Sequence, residues 1–81
     1  MKASPGTYRL STPGAPPCDV VVSADGNTVT TTFDTLDWVP AHGLYKARRL
    51  SLAMECHGDG TGLAFVGVTP GVAVPLTCAA L

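Results

Sequence analysis

The sequence predicts an all-β domain: a small sandwich or barrel of about six short antiparallel strands, led by an extended Pro/Gly-rich N-terminal arm. Three observations point there. Apolar residues recur with a period of two over most of the chain, valine and threonine are abundant, and nine Gly and seven Pro punctuate the 81 residues at turn-like spacing. A chain of this length makes one domain with a thin stability margin.

Residues 1–17 hold Pro5, Pro13, Pro16 and Pro17 beside Gly6 and Gly14. Each proline drives the residue before it to extended backbone. The segment reads as an arm able to lie along a neighbour, and only Tyr8–Ser11 has the make-up of a strand. Residues 18–81 form the β domain. The clearest local signal there is CDVVVSADGNTVTTTF, a hairpin around Asp25-Gly26, the favoured dipeptide of a two-residue type I′ turn. That turn sets Val22 opposite Val29, Val20 opposite Thr31 and Cys18 opposite Phe33, all on one face.

Residues 34–43 (DTLDWVPAHG) break the alternation and read as a loop. In 44–57 two signals compete. The composition (Ala, Leu, Arg, Lys, Met, Glu, no β-branched residue) favours helix. The pattern favours strand, because Leu50, Leu52, Met54 and Cys56 alternate with Arg49, Ser51, Ala53, Glu55 and His57. Period outranks propensity, so strand is expected, with one short helix packed on the sheet as the alternative. His57–Gly62 (HGDGTG) then turns the chain into a strand at Leu63–Val68. Thr69-Pro70-Gly71-Val72 has type II turn chemistry. The last strand is Val72–Cys78, and Pro75 confines it to an edge or to pairing on one side, because proline has no N–H to give a second neighbour.

Composition excludes several classes. Charged residues make up 14% of the chain and hydrophobic residues 46%, which is not a disordered composition. The net charge of −1 gives no field to draw nucleic acid or an anionic membrane. Lys46, Arg48 and Arg49 are the only basic cluster, short of the broad stripe of a nucleic-acid binder. No apolar run follows Lys2, so no secretory signal is expected. The glycines, prolines and alternating valines of the tail argue against a transmembrane helix. Inside a cell or within a virion is the expected location, with Cys18, Cys56 and Cys78 as buried reduced thiols.

No chemical constellation stands out. Asp34 and Asp37 lack a partner histidine at defined spacing and read as solubilising, turn-capping residues. His42, Cys56, His57 and Cys78 lack the close pairs of a structural zinc site. HGDGTG is not followed by the Lys-Ser/Thr of a phosphate-binding loop, and its one acidic residue falls short of a calcium loop. No catalytic residue, cofactor, metal or small-molecule substrate is expected.

The informative feature is the tail. From Gly60 to Leu81 there is no charged residue. Leu63 and Phe65 alternate with Ala64, Val66 and Val68, so both faces of this stretch are apolar, whereas a half-exposed sheet shows one polar face. Apolar surface in excess of one core marks an interaction surface. The expected function is therefore a non-enzymatic structural protein of a symmetric assembly, with other subunits as partners. Its most concrete form is a phage virion accessory protein: capsid decoration, cement or tail component. The interface candidates are Trp38, Arg48, Arg49, Val66, Val68 and Pro75. The alternative is a small soluble inhibitor or regulatory module presenting Trp38 and the HGDGTG loop to one target.

Overall fold

The alternation of side chains resolves into strands β1 (Gly6–Ser11), β2 (Cys18–Val22), β3 (Thr28–Thr30), β4 (Thr35–Val39), β5 (Leu44–Ala47), β6 (Leu52–Cys56), β7 (Thr61–Val66) and β8 (Val72–Ala80). The structure is a computed structural model and describes residues 1–67 and 72–81. Each strand pairs antiparallel with the next in sequence, and β8 returns to β1, which closes an up-and-down barrel. Closure sends one face of every strand to a common interior. Val20, Val22, Val29, Leu36, Tyr45, Ala47, Met54, Cys56 and Leu76 form the core there.

The all-β expectation holds, and its finer points are corrected. There are eight strands in a closed barrel rather than about six in a sandwich or barrel. The stretch read as an arm is part of the ring: Gly6–Ser11, which extends the strand-like Tyr8–Ser11, pairs with β2 on one side and β8 on the other. Without it both neighbours would present open edges. One added strand comes from the segment read as a loop, where Thr35–Val39 pairs with β3 and β5. Residues 44–57 contain two strands, joined by a turn at 48–51, and no helix is present among the described residues. Leu50 falls in that turn and is exposed, while Leu52, Met54 and Cys56 face inward as their period required.

The hairpin register holds where it matters. Val22 pairs with Val29 and Val21 with Thr30. The turn differs from the I′ type, which needs positive φ at both central residues. Only Gly26 has it (φ 74°), and the hydrogen bonds run from Gly26 N to Ser23 O (2.9 Å) and from Ser23 N to Thr28 O (3.0 Å). Asp25 accepts from the Ser23 hydroxyl and from Asn27 N, and these bonds lower its pKa, the hydroxyl most. The expected pairing of Val20 with Thr31 does not form, because Thr31 N donates to Asp34 O and turns the chain after Thr30.

Among the described residues, the 12–17, 31–34 and 48–51 connections gather at one mouth of the barrel, and the 23–27, 40–43 and 57–60 connections at the other. The second mouth is crossed by residues 1–4. The Met1 amino group donates to Cys56 O (3.0 Å) and Ala3 N to the Tyr45 hydroxyl (2.9 Å). That hydroxyl donates in turn to Gly26 O (2.7 Å). Tyr45 has no exposed surface, and its ring meets Trp38 edge-on at 5.0 Å and 61°.

The last strand, expected to be an edge or paired on one side, pairs on both, and only the stretch around Pro75 is one-sided. Residues 72–77 of β8 pair with β7, but β1 reaches only as far as Ser11 opposite Thr77. Cys78 N donates toward β7, to Gly60 O (2.8 Å). N–H groups alternate sides along a strand, so the missing N–H of Pro75 lies on the side without a partner. The type II turn expected at Thr69-Pro70-Gly71 lies outside the described residues.

Candidate interaction surface

Register decides which side chains share the outer wall. Antiparallel pairing puts Lys46, Ala53, Phe65 and Ala73 in one outward row across β5 to β8. The next row holds Glu55, Leu63 and Pro75. Thr61, Thr77 and Ala79 complete the outward positions of β7 and β8. The wall of β6–β8 is therefore apolar apart from two threonines and Glu55. It continues past Lys46 to the outward pair Val39–Leu44, and a shallow hollow of about 550 Å³ lies between these two patches.

The wall of β1–β5 differs. Arg9 donates twice to Asp19 (2.8 and 3.2 Å), and Arg48 twice to Asp37 (2.8 and 2.9 Å). In each case the arginine's hydrogen bond is the main reason the carboxylate pKa lies low. Thr7, Thr28, Thr30 and Thr35 take further outward positions of β1–β4, with Val21 exposed among them. The molecule is thus two-sided: one wall of threonine and ion pairs, one of apolar side chains. Exposed ion pairs of this kind contribute little stability, so the asymmetry is a matter of surface character.

The residues expected at an interface are scattered. Pro75 is exposed on the apolar wall. Val66 belongs to the inward set but stands at the mouth opposite residues 1–4, half exposed. Arg49 is at the same mouth, where its guanidinium donates to Phe33 O (3.0 Å) and its Nε lies 3.9 Å from Asp34. Arg48 borders the hollow beside the apolar wall, engaged with Asp37. Trp38 faces inward against Tyr45 and is half buried. Val68 lies outside the described residues. Phe65 and Leu63, the largest outward apolar groups of β7, were not singled out by sequence, because in a strand apolar on both sides alternation does not say which side is outside.

The polar constellations resolve into structural roles. Asp34 is buried, and its carboxylate accepts from Thr35 N, Arg49 N and Leu50 N at 2.8, 3.0 and 3.0 Å. These N–H groups, Leu50 foremost, hold its pKa down against the opposing effect of burial. Asp34 thereby ties the 31–34 turn to the 48–51 turn. In the 57–60 loop Asp59 accepts from the N–H and hydroxyl of Thr61, which lowers its pKa, and Gly58 and Gly60 take positive φ. His57 contacts Glu55 (2.8 Å) at the surface while Cys56 points inward. Among the described residues no three acidic, histidine or cysteine side chains converge on a metal position, and no helix is long and apolar enough to cross a membrane. Burial pushes the Cys56 thiol up to about 11 and raises that of Cys78.

No protein-family model matches the chain, and no curated protein or solved structure is significantly similar to it.

Proposed function

We propose that the chain is a non-enzymatic interaction module that works within a symmetric assembly, with its β6–β8 wall buried against a neighbouring subunit. The most concrete form of this reading is a phage virion accessory protein: capsid decoration, cement or tail component. The observation that carries it is the outward row Ala53–Phe65–Ala73 beside Leu63–Pro75. A contiguous apolar wall of this kind costs free energy in water and is relieved when a partner covers it. Association then stabilises both partners by mass action. The ring of strands fits the role, since closure leaves little free edge and the contact is made by side chains. The inhibitor alternative loses its anchor, because Trp38 packs inward on Tyr45.

Sedimentation velocity over a wide concentration range tests the proposal. The wild type is expected to self-associate, and Phe65→Glu to sediment as a monomer with an unchanged near-ultraviolet spectrum. A wild-type chain that stays monodisperse and monomeric at the highest concentration reached would overturn it.

A further inference from the structure

We infer that the barrel interior holds a binding site for a small neutral apolar molecule, entered at the mouth opposite residues 1–4. Eight strands enclose a space that side chains just fill, or that keeps room for one small ligand. Here the filling is incomplete. The inward residue Ala64 of β7, which lines the space, is small, and β1 does not extend alongside residues 72–76 of β8. A cavity of about 260 Å³ remains, lined by Leu10, Val29, Leu36, Met54, Ala64 and Leu76 among others. An engineered apolar cavity of roughly 150 Å³ takes up benzene, so this one accommodates an aromatic ring with a short alkyl arm, or a short alkyl chain.

The polar inventory sets the chemical class. Two threonines touch the cavity, Thr12 and Thr31. The Thr31 hydroxyl is committed: it donates to Asp34 O (2.8 Å) and accepts from Phe33 N and Asp34 N (3.1 and 2.9 Å). Cys18 adds one thiol already directed at Asp19 O (3.8 Å). A charged head group brought inside would lie unpaired and would cost more than the apolar contacts return. The rim suits an apolar guest. Phe33, Leu50, Val66 and Val72 are 43%, 49%, 49% and 67% exposed and all belong to this end of the barrel. An empty apolar void forfeits the dispersion contacts of its walls, and a guest restores them.

The test titrates the full chain with toluene, n-butylbenzene and sodium octanoate at neutral pH, read by methyl NMR and thermal unfolding. Toluene or butylbenzene is expected to shift the methyls of Leu10, Leu36 and Leu76 saturably and to raise the unfolding temperature. Val66→Trp, which extends a ring across the mouth from an exposed position, and Ala64→Leu, which fills the cavity, are each expected to weaken binding at least tenfold. Val66→Trp decides alone if Ala64→Leu does not fold. Shifts confined to the methyls of Leu63 and Ala73 on the outer wall, unchanged affinity in the variants, or no saturable shift up to probe solubility would overturn the inference. Octanoate binding tenfold tighter than toluene would overturn its ligand class.

Discussion

Tyr45 is the junction of three segments that sequence separates widely. Its hydroxyl accepts from Ala3 N and donates to Gly26 O while the ring is fully buried against Trp38. Burial raises its pKa, so the phenol stays neutral. Tyr45→Phe keeps the ring but strands a backbone donor and an acceptor. The expected loss is about 1–3 kcal/mol, read as a lower urea midpoint with the Trp38 near-ultraviolet signal retained. Asp34 does for the 48–51 turn what Tyr45 does for residues 1–4. Its folded pKa is depressed, so the stability it supplies is present above its unfolded value of about 3.9 and is lost as pH falls through the folded value. Asp34→Asn is therefore expected to be several degrees less stable than wild type at pH 7, with the gap closing toward pH 3. A gap independent of pH would assign the anchor to shape rather than charge. Gly62 shows a different constraint. A Cβ at this position would collide with the Glu55 carbonyl oxygen, so β7 approaches β6 too closely there for any side chain.

At the scale of elements, β8 carries a free edge, and proline guards it. Residues 72–76 have β7 on one side and no β1 residue on the other. Pro75 removes the N–H that would otherwise point outward from this edge. Pro75→Val restores that donor and raises β propensity. It is expected to keep the barrel but to aggregate faster at high concentration, as followed by light scattering. Unchanged scattering would mean that the edge is protected by something other than proline. The β2–β3 turn shows the converse: the register survives although the turn type differs, because the inward set Val20, Val22 and Val29 fixes the pairing more firmly than the loop does.

The whole molecule is one ring, and its stability depends on closure. β1 fills the gap between β2 and β8, and residues 1–4 cover one mouth. Removing residues 1–11 is expected to abolish cooperative unfolding, because two edges open at once and the Tyr45 network loses a partner. Removing residues 1–4 alone is expected to leave a folded ring with a lower unfolding temperature. Circular dichroism melts of both deletions check this, and a cooperative melt without residues 1–11 would show that closure is dispensable. The two-sided exterior is also a property of the ring, since it flanks the apolar row of β6–β8 with the Arg9–Asp19 pair beside Ala79 and the Arg48–Asp37 pair beside Lys46.

The sequence by itself determined the all-β class, the Val22–Val29 register, the inward period of Leu52, Met54 and Cys56, and the one-sided pairing at Pro75. These follow from local chemistry: a two-residue period, a turn dipeptide and a missing N–H. It also marked Gly60–Leu81 as holding more apolar surface than one core needs. Tertiary structure alone decided that the strand around Tyr8–Ser11 joins the ring on both sides, that Thr35–Val39 is a strand, that the ring closes, and that Trp38 turns inward. It alone decided that Phe65 rather than Ala64 faces out. Alternation divides a strand into two faces without naming the inner one. When both faces are apolar, the choice falls to packing, and the interior beside Tyr45 and Met54 takes the small residues of β7 and leaves the large ones outside.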